Sequence, residues 1–347
     1  MKVSLLNEEF RKAYGETVGG IGEEMSPVER VPSGVFEFDL AFGGGVPRGA
    51  VTEIFGPEGC GKTTLALKLM AQHQRLWPGL TCAYFDLENA LDFDWARNAG
   101  VDVEAVGFWR PDYSEQFVDM LQLYLSAEDC GLVVVDSLAA IMTAGQVDKP
   151  ADAQRIGSAS QLIALMCKKV TKELEKQRKE GHVPTVIYIN QTRYKLNVKF
   201  GDPETTPGGN APRFQAALRI RLWGKDLYDK KVHSVMPYAK KVDAIARKWK
   251  VPVVARHAKW DMALVNHAGL AVGECDPWPR LREYAQDFDI LTKEGKGWNL
   301  LGAHYGKLAD ARQALMDDPE LMAKVREMVA EKFVEKAGDL KIDAVGK

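Results

Sequence analysis

Cysteine is scarce and scattered. Five stand in 347 residues, Cys60, Cys82, Cys130, Cys167 and Cys275, with no CxxC pair and no histidine partner close by. That distribution argues against both a disulfide framework and a zinc site, and a reducing, cytosolic compartment is expected. Long apolar runs are lacking too: none reaches 18 residues, and the opening MKVSLLNEEFRKAYGE puts charge into every turn. Neither a membrane span nor a secretory signal fits that pattern. Charge of one sign is absent, since 46 Lys and Arg face 48 Asp and Glu for a formal net charge of -2. Any affinity for nucleic acid must therefore come from local patches. There is no internal repeat and no low-complexity tract. What is present, 46% hydrophobic and 27% charged residues, is globular material long enough for a large core and a smaller domain.

Val3, Leu6, Phe10 and Ala13 recur at helical spacing, followed by the Gly- and Pro-rich stretch GETVGGIGEEMSPVERVPSG. This reads as a helix on a linker, residues 1–32, whose apolar stripe must fold back on its own core or dock on a neighbour. From residue 33 to 269, short apolar runs (VTEIF, TCAYFDL, LVVVD, TVIYIN) alternate with amphipathic segments such as TTLALKLMAQHQRLW and QLIALMCKKVTKELEKQRKE. Continuous apolar strands between amphipathic helices predict an α/β core with a mostly parallel twisted sheet covered on both faces. Residues 270–347, with DPWPRL, GKGWNLLG and the helical LADARQALMDDPELMAKVREMVAEKF, predict a small C-terminal α+β domain.

The most specific local signal is GPEGCGKTT, residues Gly56, Pro57, Glu58, Gly59, Cys60, Gly61, Lys62, Thr63 and Thr64. It follows the strand VTEIF and opens the helix TTLALKLM, the setting a phosphate-binding loop requires. Glycines let backbone N–H groups converge on phosphate oxygens, and the helix N-terminus adds partial positive charge. Lys62 reaches the outer phosphates and the Thr63 hydroxyl serves Mg²⁺. A nucleoside triphosphate site also needs an acid at a neighbouring strand tip, which Asp136 supplies at the end of LVVVD. Asp86, Glu88 and Asp92 lie beyond the end of a third strand, where ligands sit in open α/β sheets, and any of the three could polarise a water. On residue chemistry alone Trp95 reads as a helix aromatic packed in the core. Gln191 reads equally as a strand-end amide or as a switch between a phosphate and the loop that follows it. That loop, Thr192 to Pro212, carries Arg193, Lys195, Lys199 and Phe200, and basic residues beside an aromatic suit single-stranded nucleic acid.

In their order, GPEGCGKTT, FDLENALD with WARNAGVD, VVVDSLAA, YINQTRYK with FGDPETTPGGNA, and ARKWKVP resemble the RecA family of ATP-dependent homologous recombinases. The resemblance spans roughly residues 33 to 260 and continues weakly to about 333. It implies a P-loop core of RecA type and selects Glu88 as the residue that activates water. By the same resemblance Trp95 stacks on adenine where the family commonly has tyrosine, Asp92 lies near base and ribose, and Gln191 senses the γ-phosphate. Gly208, Gly209 and Asn210 close one DNA loop, and Arg155, Ile156 and Gly157 end the other, whose Lys149–Pro150 neighbourhood departs from the family pattern. Lys168 is assigned to the same DNA surface.

Between Lys230 and Lys259 stand nine Lys or Arg residues against one acid, Asp243. Such a run commonly marks a solvated face. Within it DAIARKWKVPVV alternates as a strand would, with Lys248 and Lys250 on one face. The resemblance makes these two the lysines that reach a neighbour's ATP, makes Phe214 an interface residue, and tips the Phe10 helix toward docking in trans. Head-to-tail contacts that do not close give a helical filament. The C-terminal VEKAGDLKIDAVGK, with three acids and three lysines, departs from the strongly acidic tail of bacterial members and suggests a phage-encoded relative. The expectation is a DNA-dependent ATPase using ATP and Mg²⁺, binding single- and double-stranded DNA as a filament for strand exchange in recombination and repair. A ring-forming helicase and an ATP-switched DNA-binding scaffold are its rivals.

Overall fold

The structure is a computed structural model and describes residues 28–141, 158–194 and 203–345. Its centre is a nine-stranded sheet. In chain order the strands are β1 (Val51–Gly56), β2 (Thr81–Asp86), β3 (Val106–Trp109), β4 (Cys130–Asp136), β5 (Thr185–Gln191), β6 (Leu218–Leu227), β7 (Ala239–Trp249), β8 (His257–Ala263) and β9 (Cys275–Asp276). Across the sheet they run β9-β8-β7-β6-β1-β5-β4-β2-β3. Every pair from β6 to β3 is parallel. From β6 to β9 the pairs are antiparallel. The mostly parallel sheet expected from the apolar runs is thus present, carrying an antiparallel flank.

The two halves differ in sequence because they differ in cover. Helices α2 (Lys62–Leu76), α3 (Phe93–Asn98), α4 (Ser114–Leu125) and α5 (Ser158–Lys179) accompany the parallel strands, whereas the short α1 (Phe36–Ala41) packs against β8 of the antiparallel flank, Phe38 meeting Trp260. In β4, Leu132 and Val134 join Ile54, Leu65 and Leu69 on one face, while Val133 and Val135 join Phe85, Phe117 and Met166 on the other. Alternate residues face opposite sides of a strand, so a strand buried on both faces reads as an unbroken apolar run. In β7, by contrast, buried Val242, Ala244 and Ala246 alternate with Lys241, Asp243 and Arg247, the signature of one wet face. This strand ends at Trp249, so Lys250 lies just beyond it.

Beyond the short helix α6 (Ala211–Gln215), the C-terminal part gathers α7 (Trp278–Asp287), the antiparallel ribbon β10 (Leu291–Glu294), β11 (Gly297–Leu300), β12 (Ala303–Tyr305), and helices α8 (Leu308–Asp317) and α9 (Pro319–Val345). Leu281, Ile290, Leu300, Leu315, Val325 and Val329 form its own apolar cluster, to which α1 contributes Leu40. Glu37 of α1 lies at this seam, 3% exposed, with neither carboxylate oxygen hydrogen-bonded. Burial pushes its pKa up to about 8, against the partial opposition of Arg326 and Arg280.

All five cysteines are unpaired. Among the described residues no group of three or more His, Cys, Asp or Glu side chains is arranged to hold a metal ion by itself, and no helix is long and apolar enough to cross a membrane.

Candidate nucleotide site and loop anchor

Parallel register brings four strand ends together. Gly56 at the end of β1 stands beside Gln191 of β5, and Asp86 of β2 stands beside Asp136 of β4. Ligands bind outside the carboxyl ends of such strands, where the connections diverge to opposite faces.

Residues 57–61 leave β1 and turn into α2. A Cβ on Gly56 would lie 2.3 Å from the Leu222 carbonyl oxygen, so only glycine lets β6 approach this closely. Gly61, at φ 94°, sits in the left-handed region and directs the first N–H groups of α2 toward the loop. Lys62 is 8% exposed and its Nζ donates to the Pro57 carbonyl at 2.6 Å, which holds the ammonium across the loop. A concave backbone, a helix N-terminus and a lysine folded into the concavity fit a triphosphate.

The Thr63 hydroxyl donates to Asp136 Oδ2 at 2.7 Å, and the buried Tyr84 hydroxyl donates to the same oxygen at 2.6 Å. Burial raises the Asp136 pKa, and the two donors pull it partly back. With its proton given to the carboxylate, the Thr63 oxygen keeps its lone pairs for a hard cation, and Asp136 stands behind it. This pair fits Mg²⁺.

The three carboxylates beyond β2 separate by surroundings. Asp86, 4% exposed, accepts from the Ala90 and Leu91 N–H groups at 3.2 Å and from Arg110 Nε at 3.0 Å, so it is spent on building its own loop. Asp92 caps α3, accepting from the Asp94 and Trp95 N–H groups. Glu88 is exposed and faces inward across the strand tips: Oε1 accepts from the Ser137 hydroxyl and from Gln191 Nε2, the latter at 3.1 Å. The peptide bond between Asp136 and Ser137 is cis. Trp95 is half-buried, packs against the main apolar cluster, and donates its indole N–H to the Thr64 hydroxyl at 3.0 Å. Trp95 thus packs on the core, as residue chemistry suggests, and also lies beside the P-loop helix.

Arg193 and Tyr194 pair with Thr205 and Glu204 in a two-stranded ribbon at the base of the loop. Gly208 and Gly209 follow with positive φ, and Asn210 precedes α6. Lys168 is exposed on α5. Phe10, Arg155, Ile156, Gly157, Lys195, Lys199 and Phe200 lie outside the described residues.

Lys248 and Lys250 gather elsewhere, on the C-terminal end of α6. Lys248 Nζ donates to the carbonyls of Arg213, Phe214 and Ala216 at 2.6, 2.8 and 2.7 Å, and Lys250 Nζ donates to that of Phe214 at 3.0 Å. Cations at a helix C-terminus satisfy its free carbonyls. Burial first, and then the Lys250 charge, lower the Lys248 pKa to about 8. Phe214 is left 67% exposed on this clamped helix.

Some residues of this region escape a reading of sequence alone. Ser137 and Tyr84 order the two acids, and Glu53, Asn190, Arg219, Arg221 and Glu204 tie the loop to the sheet. The one visible hint was an acid, Glu53, inside the apolar strand VTEIF.

Residues 2–268 match the RecA N-terminal domain family. Among individual proteins, the chain is 33% identical over 339 residues to Protein RecA of Sulfurimonas denitrificans, covering 94% of this chain and 91% of that one. It is 31% identical over 341 residues to Protein RecA of Campylobacter fetus, with 97% and 93% covered. To Protein RecA of Pseudarthrobacter chlorophenolicus it is 31% identical over 333 residues, with 93% and 88% covered.

Proposed function

Because the chain belongs to the RecA family, we propose that it assembles as a helical filament on single-stranded DNA and exchanges that strand with homologous double-stranded DNA. It is a DNA-dependent ATPase acting in recombination and repair. Its place of action is the cytoplasm, that of a host if the chain is phage-encoded.

The roles in this reading are supported by the site geometry for the nucleotide residues and by family membership for the rest. The P-loop N–H groups and Lys62 hold the β and γ phosphates of ATP, leaving the γ-phosphorus facing the tips of β2 and β5. When bound, Mg²⁺ at Thr63 and Asp136 neutralises charge on those phosphates. Glu88, accepting from Ser137 and Gln191, keeps one oxygen fixed and offers the other to orient and deprotonate a water for in-line attack. Trp95 and Asp92 flank the nucleoside. Gln191, bonded to Glu88 and opening the loop, exchanges that partner for the γ-phosphate when ATP binds. Lys248 and Lys250 leave the α6 carbonyls to meet the γ-phosphate of an adjacent subunit, around an interface that contains Phe214 and the Phe10 helix. Arg193, Lys195, Lys199, Phe200, Gly208, Gly209 and Asn210 contact DNA, with Arg155, Ile156, Gly157 and Lys168 beside them. Base pairing supplies sequence specificity, so protein contacts are to backbone and stacked bases and weaken with salt.

The observation that carries this reading is the Glu88–Gln191 hydrogen bond, which joins the acid proposed to activate water to the strand residue that immediately precedes the loop. A strand-exchange assay with ATP and with a nonhydrolysable analogue, imaged in parallel, tests it. Joint molecules formed by filaments in both nucleotides are expected. Filaments without joint molecules leave an ATP-switched scaffold, and directional unwinding by closed rings makes it a helicase.

A further inference from the structure

The last two residues of β5 point to different customers. Gln191 bonds Glu88, while Asn190, fully buried, serves the loop where it returns to the sheet. Asn190 Nδ2 donates to Glu53 Oε1 at 3.0 Å and to the Pro207 carbonyl at 3.1 Å, and Asn190 Oδ1 accepts from the Gln191 N–H at 3.0 Å. Both amide hydrogens and the carbonyl are thereby used, and a buried amide so committed has one orientation.

Glu53 is fully buried, and its other oxygen accepts from Arg219 Nε at 2.5 Å. Register makes this pairing, because Arg219 of β6 stands directly opposite Glu53 of β1. The Arg219 guanidinium lies 4.4 Å over the Phe55 ring and donates from Nη2 to the Thr206 hydroxyl at 3.4 Å. Two positions along β6, Arg221 Nε donates to both oxygens of Glu204 at 2.8 and 2.7 Å, and Arg247 of β7 adds a charge 3.7 Å from the same carboxylate. A cavity of about 260 Å³ borders this arm between Phe55, Asn210, Arg213 and Arg219. Polar bonds, rather than apolar packing, therefore hold residues 204–207 against the sheet.

Resting on the reading of the loop as a DNA-binding element, we propose that Asn190 and Arg221 are positioning residues which join the returning arm, Glu204–Pro207, to the Glu88–Gln191 pair, so that DNA on the loop sets the geometry of the hydrolytic site. One unbroken chain of hydrogen bonds runs from Pro207 through Asn190 to Gln191 and Glu88, and a second ties Thr206 through Arg219 and Glu53 to the same amide. A shift of the arm changes what Asn190 can satisfy, and a buried group resists losing partners. A correlated movement of the β5 end lets Asn190 keep its partners.

Asn190→Asp keeps shape and removes both donated hydrogens. Arg221→Met removes the clamp on Glu204 from a more accessible position, and Arg221→Lys restores a cation there. For each full-length protein the ratio of ATP turnover with saturating single-stranded DNA to turnover without DNA is measured, along with the dissociation constant of a fluorescent ATP analogue without DNA. Asn190→Asp is expected to lower the ratio about tenfold with the dissociation constant within about twofold, a coupling loss of about 1.4 kcal/mol. Arg221→Met should lower the ratio likewise, and Arg221→Lys should recover most of it. An unchanged ratio in both Asn190→Asp and Arg221→Met overturns the proposal, as does a parallel loss of analogue affinity, which marks a merely structural role. Should Asn190→Asp not fold, Arg221→Met decides alone. Absence of DNA stimulation in the unsubstituted protein overturns the recombinase reading and this inference together; stimulation equal in parent and variants overturns only the inference.

Discussion

Lys62 holds a position with no spare geometry: its ammonium sits 2.6 Å from a loop carbonyl inside the concavity it helps to form. Lys62→Ala removes the cation and leaves the backbone cradle, so folding should persist while affinity for a fluorescent ATP analogue falls by about a hundredfold, in line with the loss of one preorganised donor to a charged group. Glu88 differs in kind, since among the described residues its side chain accepts from Ser137 and Gln191 across the strand tips rather than from backbone groups of its own loop. Glu88→Gln should still assemble on DNA with ATP yet hydrolyse it about 10²–10⁴-fold more slowly, the range for losing a general base. Steady-state phosphate release beside filament imaging makes the comparison, and undiminished release would take water activation away from this residue.

At the scale of elements, the candidate site residues stand on strand ends and loops, and these differ in how legible they are. The P-loop can be read directly, because strand, glycines, lysine, threonine and helix form one contiguous word. Asp136 can be read because an acid after four apolar residues marks a strand tip. Choosing among Asp86, Glu88 and Asp92 could not be done from spacing; it depends on which carboxylate the backbone has already claimed, and only folded geometry shows Asp86 tied to Arg110 and Asp92 to the start of α3. The Asn190–Glu53–Arg219 group is less legible still. Its members are 137 and 166 residues apart along the chain, and meet only through the parallel register of β1 with β5 and β6. The antiparallel flank is the intermediate case: β7 shows a two-residue alternation, which gives a strand but not its neighbour. For Lys248 and Lys250 the element matters more than the residue, since both ammonium groups rest on α6. Lys248→Ala and Lys250→Ala should each hydrolyse ATP poorly, and mixing either with Lys62→Ala should restore part of the activity if the lysines serve an adjacent subunit's nucleotide. Strictly additive, inactive mixtures would place them in their own subunit's chemistry.

For the whole molecule, the seam between α1 and the C-terminal cluster makes folding stability depend on pH. Glu37 holds its proton in the folded chain up to about pH 8, while an ordinary glutamate releases it near 4.5. The folded state therefore binds more protons between these values, and the contribution of Glu37 to stability, fully present below 4.5, is lost as pH rises through 8. Glu37→Gln is neutral at every pH and should remove that slope. Melting temperatures of parent and variant between pH 5 and 9 should diverge, the variant gaining with pH and the gap levelling off above about pH 8. A gap that stays constant would show that the carboxyl does not titrate in this window.

The rest position of Lys248 and Lys250 also has a consequence for counting. If the two lysines complete an adjacent subunit's site as proposed, then in an open chain of n subunits joined head to tail the pair at one extremity has no neighbour's nucleotide to reach and stays on its own α6. Such an assembly would own n − 1 completed sites for n loaded nucleotides. Turnover per subunit should then climb with length as (n − 1)/n, and the last nucleotide should outlive those behind it. One extremity would then behave as a durable cap, and growth and loss of subunits would acquire a direction from the lysine pair alone.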